Sequence, residues 1–141
     1  MISIASDHAG FEFKEKIKLF LKELNYSFQD FGTDSTVSCD YPDFAHKVAL
    51  EVSSGKSQFG ILICGTGIGM SMTANKHKNI RAAHCQTNDA VIFTRKHNDA
   101  NILCLGQRLN SLPEILEMVK LFLTTEFELG RHLNRINKIN L

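Results

Sequence analysis

Phe59-Gly60-Ile61-Leu62-Ile63-Cys64-Gly65-Thr66-Gly67-Ile68-Gly69 is the stretch that decides the fold. From Phe59 to Cys64 no charged or polar side chain interrupts the run, so a strand here must be covered on both faces, as in a parallel sheet between helix layers. Three glycines in the next five residues turn the chain into a following helix. They also let the backbone approach a ligand closely.

Outward from that stretch the same rhythm repeats. Ile2 to Ser6 reads as a strand, and Phe13, Ile17, Phe20, Leu21 and Leu24 follow with helical spacing. A second strand is expected near Ser27 to Phe31, ending at Gly32. Pro42 suits a helix start before Phe44, Ala45, Val48, Ala49 and Val52, and Gly55 closes that helix. Ile80 to Cys85 and Ile102 to Leu105 read as two more strands. Ser111 and Glu114 make a capping box for the helix of Ile115, Leu116, Val119 and Leu123, and a last helix is expected from about Phe127 to residue 139. Strands linked throughout by helices give an α/β fold, a five-stranded parallel sheet in a Rossmann-like three-layer αβα sandwich.

The 141 residues suit a single domain, 1–141, with 43% hydrophobic and 22% charged residues. A net charge of +1 with lysines spread over helix faces argues against a nucleic-acid partner. Met1-Ile2-Ser3-Ile4-Ala5-Ser6 has no basic flank or long apolar core, so no export signal or membrane span is expected and the chain is assigned to the cytoplasm. Cys39, Cys64, Cys85 and Cys104 form no C-x-x-C pair and read as free thiols.

Ligands of such sheets bind beyond the carboxyl ends of the strands. The residues there are Asp7-His8, Cys64 with its glycine loop, and Gly106-Gln107-Arg108. The loop is G-x-G-x-G, lacking the third glycine of the dinucleotide fingerprint, and no G-x-x-x-x-G-K-[ST] occurs. A cysteine phosphatase loop would carry arginine where Met70 stands. What remains is a thiol at a helix N-terminus, where the dipole and N–H groups favour the thiolate as base or nucleophile. Without the loop, Cys64 would read as a small buried hydrophobe, and Cys39, Cys85 and Cys104 are read that way.

Arg131 and Arg135, at i and i+4 with Leu129, Leu133 and Ile136 on the other side, are spaced to grip one phosphate; the alternative is a solvated basic face. His97-Asn98-Asp99 ends a helix that runs back against the strands. His97 therefore belongs at the opposite edge from its own Cys64, and a catalytic role for it requires a second copy to supply it. His46, His77, His84 and His132 are assigned surface or packing roles. No paired spacing suits a metal, and none is expected.

Ser6-Asp7-His8-Ala9-Gly10, Asp40-Tyr41-Pro42, Ile63 to Gly69, Arg95-Lys96-His97-Asn98-Asp99, Gly106-Gln107-Arg108 and Gly130-Arg131-His132 together resemble ribose-5-phosphate isomerase B and the related galactose-6-phosphate isomerase subunits. The resemblance spans nearly the whole chain. It implies a homodimer or dimer of dimers with shared active sites, the last helix at the dimer interface, and a sugar phosphate as substrate. By the same resemblance Cys64 is the proton acceptor, His97 opens the furanose ring and Thr66 assists proton movement. Asp7, His8, Tyr41, Gly65, Gly67, Ile68, Gly69 and Asn98 would contact substrate, and His8, Arg108, Arg131 and Arg135 its phosphate.

Some members of that family use a glutamate base with serine in place of the cysteine; Cys64 and Asn75 put this chain with the cysteine type. The set lies complete on one chain, which favours the pentose over the hexose enzyme. No cofactor is implied. The alternatives are a hexose phosphate isomerase, and a binding module that holds a phosphosugar without turning it over.

Overall fold

A computed structural model describes residues 1–140. The strands are β1 (Ile2–Ser6), β2 (Phe28–Asp30), β3 (Phe59–Cys64), β4 (Ala82–His84) and β5 (Ile102–Gly106). The helices are α1 (Phe11–Glu23), α2 (Tyr41–Ser53), α3 (Ile68–Ala74), α4 (Asn88–Asn98), α5 (Leu112–Thr124) and α6 (Arg131–Asn137). All strands pair in parallel in the order β2-β1-β3-β5-β4.

Strand alternation explains the two cores. Ile61 and Ile63 point to one face, where they meet Ile17 and Leu21 of α1, Val91 of α4, and Ile115, Val119 and Phe122 of α5. Leu62 and Cys64 point to the other, with Ala45, Val48 and Ala49 of α2 and Met70 and Ala74 of α3. A strand buried from both sides cannot afford a polar position, which is why Phe59 to Cys64 carries none. Cys64 thus ends the central strand on the face under α2 and α3.

The capping box forms as expected: Ser111 Oγ accepts from the Glu114 N–H, and Glu114 returns a bond to the Ser111 N–H at 2.9 Å. The boundaries of β2, β4 and the last helix differ from the sequence reading. β2 and β4 are shorter by a residue or more at each end. The Ala82 N–H and C=O are taken instead by the Asn75 side chain at 2.8 and 2.9 Å, which closes that edge as a neighbouring strand would. The last helix starts at Arg131, not Phe127, because Leu129 and Gly130 both adopt positive φ, 63° and 59°. Its buried side is His132 and Ile136, whereas Leu129 and Leu133 are exposed.

Candidate active site

β1 and β3 lie side by side, and the chain leaves them toward opposite edges of the sheet, which makes their carboxyl ends the switch point where open sheets of this kind bind ligands. Cys64 sits there, buried, with 6% of its surface exposed. The Gly67 N–H donates to its Sγ at 3.0 Å. That bond is stronger when the sulfur carries charge.

Each loop glycine has its own steric reason. Gly67 has φ +82°, and a Cβ there would lie 2.8–2.9 Å from the backbone of Leu105. A Cβ on Gly65 would meet the Arg108 guanidinium at 3.2 Å, so Arg108 lies directly over the loop. A Cβ on Gly69 would collide with the Tyr41 ring. The loop is held from β5 as well, by the Gln107 N–H on Cys64 O at 3.0 Å and the Arg108 N–H on Gly65 O at 2.9 Å.

Asp7 Oδ1 accepts from the Ala9 and Gly10 N–H groups at 2.9 and 3.2 Å, capping a single turn of 3-10 helix that presents His8. The Cys39 N–H donates to His8 Nδ1 at 3.2 Å. In a neutral ring this leaves the proton on Nε2, ready to donate. The loop carrying Cys39 is braced by Lys14, which is almost wholly buried and bonds both oxygens of Asp30 at 2.8 and 2.7 Å and Thr33 O at 2.6 Å. Burial pulls Asp30 upward, but the bonds from Lys14, Lys18 and the Gly32 N–H outweigh it and hold its carboxyl below the usual aspartate range.

The structure therefore brings Asp7, His8, Tyr41, Cys64, the glycine loop and Arg108 to one edge of the sheet. The Gly67 and Ile68 N–H groups are turned on Cys64 Sγ and Thr66 Oγ1, at 3.0 and 3.3 Å, so the loop uses two of its own donors. Cys85 and Cys104 keep the packing role expected of them. Burial pushes Cys85 up to about 11 and raises Cys104 as well, with Cys64 and Cys85 adding to the effect on Cys104.

His97 and Asn98 lie elsewhere. Arg81, just before β4, donates to Asn98 O and Asp99 O at 3.1 and 3.0 Å, which fixes the end of α4 at the amino edge of the sheet. Six strand residues separate the two edges, about 20 Å at the usual rise. There His97, Asn98, His132, Arg135, Ile136 and Ile139 line a cavity of about 310 Å³. His97 stacks with both Phe93, with ring centres 5.3 Å apart, and His132, at 4.5 Å and 19°.

Of the surface and packing roles expected for it, His132 takes packing: it is buried, 3.6 Å from Glu128 and stacked on His97. Its signals were Glu128 at i−4 and the Gly130-Arg131-His132 motif. His97, Glu128 and His132 have ligand atoms within 4.8 Å of one another. Two rings stacked face to face direct their lone pairs in parallel planes, however, and do not converge on one ion. His46 and His77 are also neighbours, with Nδ1 and Nε2 2.7 Å apart. Arg131 and Arg135 are exposed on α6.

The structure is an open parallel α/β sheet that gathers a thiol, an arginine and an aspartate at its switch point, where such sheets bind ligands. Residues 2–139 match the ribose/galactose isomerase family, and the chain belongs to it. It is an isomerase of the sugar phosphate class. Bacillus subtilis YwlF, named only as a candidate sugar phosphate isomerase, is 48% identical over 140 residues, 99% of this chain and 94% of its own length. Ribose-5-phosphate isomerase B of Escherichia coli is 41% identical over 138 residues, 98% of this chain and 93% of its own. The structure of Clostridium thermocellum ribose-5-phosphate isomerase B superposes with a TM-score of 0.97 at 49% identity, covering 98% of this chain and 93% of that one. No helix among the described residues is long and apolar enough to cross a membrane.

Proposed function

We propose that this protein interconverts D-ribose 5-phosphate and D-ribulose 5-phosphate in the cytoplasm, in a site shared between two copies of the chain. The Cys64 edge of one copy, with Asp7, His8, Tyr41 and Arg108, faces the His97 edge of the other, which brings Asn98, Arg131 and Arg135. A homodimer is the smallest such assembly, with α6 at its interface. The observation that carries the reading is the Gly67 N–H held on Cys64 Sγ at 3.0 Å beside Arg108.

The reaction needs a base, a proton shuttle and an anion clamp. His97 takes the proton of the anomeric hydroxyl and returns one to the ring oxygen, and the furanose opens to the aldehyde. Cys64, as thiolate, lifts the proton from C2; the electron pair forms the C1–C2 double bond of a cis-enediolate, with negative charge on O1. Thr66 moves a proton between O1 and O2. The thiol then gives its proton to C1, and the ketose results. Hydrogen moves as a proton throughout, so the chemistry calls for no redox cofactor. His8 Nε2–H and the arginines hold the phosphate, fixing carbon against sulfur.

The test is incubation with ribose 5-phosphate and detection of ketose, beside allose and galactose 6-phosphates. Turnover of the pentose with the higher kcat/KM is expected. Higher kcat/KM on a hexose phosphate would move the assignment to the hexose enzymes, and tight binding without ketose would remove it.

A further inference from the structure

We propose that His132 is a positioning residue for His97, fixing the plane of its imidazole in a three-ring stack with Phe93. The proposal rests on the reading of His97 as the residue that opens the sugar ring, and adds what holds that ring in place.

His97 stands on the last turn of α4, where a side chain free to rotate would sweep the mouth of the cavity. Phe93, one turn earlier on the same helix, stacks on the imidazole with ring centres 5.3 Å apart and planes 28° from parallel. His132, from α6, stacks on it more closely, at 4.5 Å and 19°. Stacked on two flat neighbours, the imidazole is held near one plane while it lines the cavity it shares with Asn98 and Arg135. Stacking is thus a substitute for the carboxylate or carbonyl that more often orients a catalytic histidine.

The rest of the region serves to hold His132 there. Glu128 N–H bonds Lys96 O at 3.1 Å, and Arg95 Nε–H bonds Thr125 O at 3.1 Å, so the segment between α5 and α6 is stitched to the last turn of α4. Leu129 and Gly130, with positive φ, then turn the chain so that the second residue of α6 lands on His97. His132 is only 7% exposed, and its Nε2 lies 3.6 Å from the Glu128 carboxylate.

Ring opening and proton transfer can be separated experimentally, because ribulose 5-phosphate has its C5 oxygen esterified and stays open-chain. Entry of solvent deuterium at its C1 needs Cys64 but not ring opening. In His132→Ala, turnover of ribose 5-phosphate should fall about 10- to 100-fold, the usual cost of a misplaced catalytic group, while deuterium entry into ribulose 5-phosphate stays within about 3-fold of the parent. His132→Phe, which restores a flat face, should recover most of the turnover. Independently of activity, the carbon-bound protons of His97, shielded by the two rings stacked on it, should move downfield in the NMR spectrum of His132→Ala and of Phe93→Ala.

The proposal is overturned by unchanged turnover in His132→Ala, by an equal loss of turnover and deuterium entry, or by unmoved His97 resonances. Should His132→Ala fail to fold, Phe93→Ala and His132→Phe carry the same comparison. If His97→Ala itself lacks the split between turnover and exchange, the underlying reading of His97 fails, a result distinct from failure of His132 alone.

Discussion

The two edges of the sheet are built on different principles. At the carboxyl edge, Cys64 is held by backbone: Gly67 N–H on the sulfur, Gln107 and Arg108 N–H on the loop carbonyls, and glycines where any side chain would collide. At the amino edge, His97 is held by side chains that reach it from two helices, Phe93 and His132, with Asp99 gripped by Arg81 and Arg95 at 3.3 and 2.8 Å. Backbone scaffolding is stiff and local. Side-chain scaffolding depends on how α4 and α6 pack, and fits a half-site that meets its complement only across an interface.

The most severe test of this contrast is Cys64→Ala. We expect turnover to fall about 10³-fold, with deuterium entry lost and affinity for a phosphate-bearing inhibitor nearly unchanged; retained isomerisation would remove the sulfur from the chemistry. Next comes complementation. Cys64→Ala and His97→Ala chains, each inactive alone, should recover about a quarter of parental activity after subunit exchange, since half of the dimers are mixed and each mixed dimer holds one intact site. No recovery after verified exchange would mean that the two edges do not work together.

Two stability measurements sharpen the backbone side of the comparison. Gly67→Ala should cost about 2–4 kcal/mol in urea unfolding, from the positive φ and the contact with Leu105. A midpoint equal to the parent's would show that the loop yields. Asp30→Asn should cost about 1–3 kcal/mol by leaving the buried Lys14 without its full partner. Because the folded-state pKa of Asp30 is lowered, its contribution is complete above the ordinary aspartate value of about 3.9 and is lost as pH falls through the lower folded value. Unfolding followed across that acid range should show a shallower dependence in Asp30→Asn; an unchanged slope would locate the acid sensitivity elsewhere.

Much of the carboxyl edge was legible because its determinants are consecutive. A strand without polar residues, a thiol at its end and alternating glycines occur within eleven positions, and the structure keeps the boundaries of that strand to the residue. The bracing beneath it was not legible. The Cys39 N–H on His8 is a backbone contact that no side-chain identity announces, and Lys14 reads as one more lysine on a helix until Asp30 and Thr33 close over it. The opposite placement of His97 followed from helix direction alone. Its two flanking rings did not, because His132 comes from a helix whose start is set by two left-handed residues.

What the amino-acid sequence determined by itself was the layered α/β order, the thiol at the mouth of the glycine loop, and the separation of His97 from Cys64. These follow from periodicity and from the fixed direction of strand and helix, which are properties of neighbouring residues. Only tertiary structure decided which N–H meets the sulfur, that Arg108 and Tyr41 lie over Gly65 and Gly69, and that His132 stacks on His97. Those contacts join segments far apart in the chain, and their geometry is fixed by the packing of whole elements, not by any local preference.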